Sequence, residues 1–178
     1  MVAFDNTILS ILLFPDAVVN EGPDGEPVER AQDRVNALLQ EIQDAGEQVL
    51  IPAPALAEVL ATPDCDIDEV LSTLRAAAFI RIGDFDKRAA VELALRLRAA
   101  MAAGDLREGV ATTKTRMKFD RQIIAIALTN GARILYSDDE GVKRFGERSG
   151  LRVVRTSELP PPTTQQNLFE AEPPEKDE

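Results

Sequence analysis

Histidine is absent from the 178 residues, and cysteine occurs once, at Cys65. The first absence excludes Ser-His-Asp triads, Cys-His pairs, histidine-bound zinc and any imidazole acid–base step. The second excludes an intramolecular disulfide and any multi-cysteine metal site. Cys65 lies beside Asp64 and Asp66 with no base nearby to lower its pKa, so it reads as incidental. Tryptophan is missing, tyrosine occurs once and phenylalanine seven times, which leaves little material for stacking nucleobases. No apolar run reaches the length of a membrane span, and Met1–Asp5 lacks the basic region and cleavage site of a signal peptide. The expectation is a cytoplasmic chain with no membrane contact. Any enzymatic chemistry must come from carboxylates, lysine, arginine, hydroxyls or an oxygen-bound metal.

What is present is ordinary for a globular domain: 44% hydrophobic and 29% charged residues, enough for one core. The net charge is −11, unevenly spread. Residues 160–178 are proline-rich and carry Glu170, Glu172, Glu175, Asp177 and Glu178 against Lys176 alone. This composition predicts a disordered acidic tail after a domain spanning 1–159. In the opposite sense, Lys114, Arg116, Lys118 and Arg121 crowd four bases around Asp120. Positive charge near a helix start opposes the dipole, so this cluster is read either as a track for a phosphate backbone or as a solvated loop balancing nearby acids.

Apolar patterning alternates strands with helices. Val2–Phe4, Gln48–Ile51, Phe79–Ile82, Ile134–Tyr136 and Leu151–Val154 read as strands. Helices are predicted over Thr7–Phe14, Val28–Ala45, from Pro54 through Leu60, from Asp66 or Asp68 to Ala78, from an Asp86 cap to Ala102, over Met117–Leu128 and over Gly141–Arg148. Gly46 and Asn130-Gly131 supply stop signals. The pattern predicts a three-layer α/β/α sandwich around a mainly parallel sheet.

In such sheets ligands sit beyond the carboxyl ends of the strands. Asp5 directly follows the first strand, Asp138 lies two residues after Tyr136, Glu58 sits on the helix entered from Gln48–Ile51, and Asp120 heads the stripe Ile124, Ala127, Leu128. Two acids at strand ends and two near helix starts are positioned to converge on one edge. Mg²⁺ and Mn²⁺ prefer carboxylate oxygens and need no histidine, and paired ions assist phosphodiester hydrolysis. Singly, each acid also has a plainer role: Asp5 and Asp138 as turn residues, Glu58 as an exposed helical acid, Asp120 as a residue favoured by the helix dipole.

Val2-Ala3-Phe4-Asp5-Asn6-Thr7, Pro52–Leu60 with Glu58, Phe119–Ala127 with Asp120 and Ile134-Leu135-Tyr136-Ser137-Asp138 together resemble, in order, the four motifs of the PIN domain nucleases. The passage Ile82–Asp86 and the closing strand Leu151–Val154 are also similar, and the resemblance covers about Met1 to Leu159. It implies a ribonuclease dependent on Mg²⁺ or Mn²⁺, with Asp5, Glu58, Asp120 and Asp138 as metal ligands and catalytic acids. Asp139 and Glu140 follow directly, so either is a candidate to complete the metal set; Asn6, Thr7 and Ser137 would support the ligands. Lys114, Arg116, Lys118 and Arg121 would hold the RNA. Many members are toxins of VapC type with a small antitoxin partner, and a homodimer is the expectation on base rates.

Two other readings fit these residues less well. A haloacid dehalogenase-type phosphatase needs a second aspartate two residues from the nucleophile, but Ala3 and Thr7 occupy those places around Asp5. A catalytically silent PIN-like module binding RNA or protein would tolerate loss of an acid, whereas all four are present. In the tail, Gln165-Gln166-Asn167-Leu168-Phe169 is similar to peptides that dock on bacterial sliding clamps; so short a match arises often by chance, and a solubilising extension is preferred.

Overall fold

The computed structural model describes residues 1–14, 17, 27–63, 65–104 and 114–161, and of 114–116 only the backbone. The acidic tail beyond 161, with its Gln165–Phe169 segment, and most of the Asn20–Pro27 turn region lie outside the described residues.

Five short strands form one sheet: β1 (Val2–Phe4), β2 (Val49–Pro52), β3 (Ile80–Gly83), β4 (Ile134–Tyr136) and β5 (Arg152–Val154). Their order is β3-β2-β1-β4-β5, and every neighbouring pair is parallel. Both β1 and β2 are buried throughout, which is why they read as unbroken apolar runs rather than alternating ones. The helices are α1 (Asn6–Leu13), α2 (Ala31–Asp44), α3 (Ala53–Leu60), α4 (Ile67–Ala76), α5 (Lys87–Ala102), α6 (Lys114–Thr129) and α7 (Glu140–Arg148), with a closing 3-10 turn at Thr156–Glu158. The chain steps from β1 through β2 to β3 in one direction, then crosses back to β4 and β5 in the other. Because parallel crossovers are right-handed, the two halves place their helices on opposite faces, giving the three layers.

Local chemistry sets the helix limits. Asp66 and Asp86 accept N-cap bonds from the backbone of Glu69 (3.0 Å) and Ala89 (2.9 Å). Gly46 and Gly131 take left-handed φ values of 63° and 75° just beyond α2 and α6, a backbone state that costs glycine nothing. At Gly146 of α7, an added Cβ would lie 2.6 Å from Val153 Cγ2, so glycine is what lets α7 approach β5.

Two sequence expectations need correction. α6 starts at Lys114 rather than Met117, so Asp120 lies well inside the helix instead of opening it. The run Lys-Thr-Arg-Met-Lys is made largely of good helix formers, and that propensity outweighs the dipole cost of its charges. The stripe around Asp120 is also wider than predicted: Ile123, Ile124, Ala125, Ile126 and Ala127 are all buried, because α6 packs against α3, α5, α7 and β2. The 3-10 turn after β5 was announced by no sequence signal.

Candidate functional site

The sheet order reverses between β1 and β4, and at such a switch point the strand ends open onto a crevice. Register fixes what lines it. Ala3 pairs with Leu135 and Phe4 with Tyr136, so the next residues outward, Asp5 and Ser137, stand side by side. The Asp5 backbone N–H continues the ladder to the Tyr136 carbonyl at 3.0 Å. Ser137 Oγ then donates to Asp5 Oδ2 at 2.7 Å and accepts from the Asp139 backbone N–H at 3.1 Å.

Asp5 is 1% exposed, and its Oδ1 is buried without a hydrogen bond. Burial pushes its carboxyl up from 3.8 to about 7. Hydrogen bonds from Ser137 and from the Asn6 backbone pull against that shift, while the negative charges of Asp139 and Glu58 add to it. Those two acids are therefore the electrostatic neighbours of Asp5. Glu58 comes from α3 and is half-buried; Asp139 caps α7, its Oδ1 accepting from the Val142 backbone N–H at 2.9 Å. Asp120 is buried at 5% exposure on α6.

The carboxylate of Asp138 is engaged by Thr156. Both its carboxylate oxygens take hydrogen bonds from Thr156, Oδ1 from the backbone N–H and Oδ2 from Oγ1, each 2.7 Å. Its own N–H donates to Thr7 Oγ1 at 3.0 Å. Glu140 is drawn outward by Arg155 and by Arg144 at 3.6 Å. Among the consecutive acids 138–140, then, it is Asp139 whose charge acts on Asp5. Thr156, fully buried, escaped the sequence reading; a lone threonine after the last strand carries no recognisable signal.

Of the basic cluster, Lys118 is exposed on α6, and Arg121 stacks over the Phe145 ring with 4.8 Å from Cζ to centroid. The side chains of Lys114 and Arg116 lie outside the described residues. Among the described residues, no three acids form a ready-made metal cage. The donor set still fits a hard divalent cation. Asp5 presents an unbonded buried oxygen, its neighbours are carboxylates, and Mg²⁺ is commonly held by one or two carboxylates with water completing its shell.

No family model and no curated protein sequence matches the chain. Solved structures do. One chain of a VapBC2 complex from Rickettsia felis, crystallised bound to a DNA fragment from its promoter, superposes with a TM-score of 0.55 at 16% identity, covering 87% of this chain and 98% of that one. A chain of the DNA-bound VapBC complex from Salmonella typhimurium gives 0.52 at 16% identity, covering 88% and 99%. The likeness establishes the fold, an α/β domain of the PIN type. Among the described residues no helix is long and apolar enough to cross a membrane.

Proposed function

We propose that the chain is a divalent-metal-dependent endoribonuclease of the VapC kind, working with a small antitoxin as its protein partner. The observation that carries this reading is Asp5: a fully buried carboxylate at the switch point, with one oxygen unbonded and two further acids raising its pKa. An arrangement so costly to ionise gains most from a cation. The fold shared with chains of two VapBC complexes supports the toxin assignment and the partner.

In this reading Asp5, Glu58, Asp120 and Asp139 hold Mg²⁺ or Mn²⁺. The cation supplies Lewis acidity, making a bound water more acidic and offsetting charge on phosphate oxygens. Ser137 fixes the Asp5 carboxylate so that Oδ1 stays available. Lys118 and Arg121, on either side of Asp120, bind the RNA backbone and set its register without reading bases. The near absence of aromatic platforms agrees with recognition by shape.

The test is cleavage of structured RNA by the purified protein with Mn²⁺, with Mg²⁺ and with EDTA, alongside Asp5→Asn. Cleavage that requires metal and disappears in the variant is the expected result. The competing reading is a silent binding module. Absence of both metal binding and cleavage in a folded protein would establish that alternative instead.

A further inference from the structure

Asp138 and Asp139 are adjacent acids at the end of β4, yet the fold uses them differently. Asp139 lies in the electrostatic surroundings of Asp5 and takes the N-cap of α7. Asp138 grips Thr156 with both oxygens and Thr7 with its backbone N–H. Three separate pieces of chain meet on this one residue: the first turn of α1, the end of β4 and the 3-10 turn beyond β5. We infer that Asp138 is a positioning residue, a latch that holds the Ser137–Asp139 turn so that the Ser137 hydroxyl and the Asp139 carboxylate are presented to Asp5.

The argument is one of degrees of freedom. β4 ends at Tyr136 and α7 begins at Glu140, so residues 137–139 have no helix of their own to fix them. Ser137 has a backbone bond to the Val154 carbonyl, 3.0 Å. Past it, the turn is held from outside by the Asp138 contacts. Thr156 is fully buried, so its hydroxyl must find a partner, and the Asp138 carboxylate is that partner. A carboxylate that accepts two short hydrogen bonds from one residue is oriented by them. Release of Thr156 would free the turn to move and carry Ser137 Oγ and Asp139 away from Asp5. Groups that orient ligands in this way ordinarily change metal affinity by about 10–100-fold when removed.

The inference rests on the cation-site reading above, and it separates a latch from a ligand by substitution chemistry. Asparagine at 138 keeps the latch: its oxygen accepts from the Thr156 N–H, and its amide donates to Thr156 Oγ1 once that hydroxyl turns round. It discards the negative charge a ligand needs. Asp138→Ala and Thr156→Val break the latch. Mn²⁺ binding, followed by electron paramagnetic resonance without RNA, should therefore remain close to wild type in Asp138→Asn. It should weaken about tenfold or more in Asp138→Ala and Thr156→Val. Amide hydrogen exchange on the same proteins without metal supplies the independent readout. The Asp139 N–H, bonded to Ser137 Oγ, should stay protected in wild type and Asp138→Asn, and exchange faster in the other two.

Loss of Mn²⁺ binding in Asp138→Asn as complete as in Asp139→Asn would make Asp138 a ligand and overturn the proposal. Unchanged Asp139 protection in both folded latch-breaking variants would overturn it as well, even if wild type bound no Mn²⁺. That last finding, a wild type without Mn²⁺ affinity, would instead refute the cation site, while the exchange data still decide whether the latch exists.

Discussion

Ser137 and Asp5 are 132 positions apart in the chain and joined by a 2.7 Å hydrogen bond, the serine hydroxyl donating to Oδ2 of the carboxylate. The bond follows from parallel pairing of β1 with β4, which carries the two residues past the strand ends in register. Oδ1 of the same carboxylate is buried without a hydrogen bond.

Asp5 makes the metal-free protein pay for ionisation. With its carboxyl raised from 3.8 to about 7, the folded state keeps a proton that the unfolded chain has already lost. Stability from this group is therefore full below about pH 4, falls as pH rises toward 7, and is level above. The difference corresponds to about 4 kcal/mol. Chemical denaturation in EDTA should show Asp5→Asn gaining on wild type across that window and exceeding it at pH 8. Added Mg²⁺ or Mn²⁺ should narrow the gap by stabilising wild type alone. An Asn variant less stable than wild type at pH 8 without metal would contradict the raised pKa.

The choice among consecutive acids predicts a contrast between neighbours. Asp139→Asn should lower RNA cleavage by about a hundredfold or more, because its charge belongs to the site. Glu140→Gln should leave cleavage near wild type, since its partners are Arg155 and Arg144 on the outer side. Steady-state cleavage of one RNA by both variants checks this, and equal losses would refute the assignment.

Ser137→Ala removes a donor to Asp5 and an acceptor for the Asp139 N–H. Leaving buried polar groups unsatisfied should cost about 1–3 kcal/mol. The Asp5 carboxyl should also titrate higher still, because the lost bond was pulling it down. Urea denaturation, together with carbon NMR of the Asp5 carboxyl, measures both effects. A lower Asp5 pKa in the variant would count against the geometry.

Gly146→Ala tests packing away from the site. A methyl placed 2.6 Å from Val153 Cγ2 must push α7 off β5, at a cost of about 1–3 kcal/mol. The midpoint of urea denaturation should fall accordingly. A variant as stable as wild type would mean that α7 and β5 are packed less closely than described.

The sequence by itself determined the alternation of strands and helices, the cap at Asp86, the stops at Gly46 and Gly131, and the placing of acids at strand ends, while leaving Asp66 and Asp68 as alternatives for the cap of α4. Each is local, since apolar periodicity, side-chain capping and glycine's left-handed freedom act over a few residues. From those alone the α/β class and the place of Asp5 at the end of a strand were legible. Only the tertiary structure decided which acids share an environment. Residues 138, 139 and 140 follow one another, so spacing cannot rank them. Their separation depends on Thr156 and Arg155, which reach the site only because β5 pairs with β4. The helical start at Lys114 was lost for a different reason, as dipole rules favour a later start and propensity prevails. The partnership of Asp5 with Ser137 lay furthest from view, because strand order is set by the burial of whole strands and crossover handedness, neither of which any short stretch of chain contains.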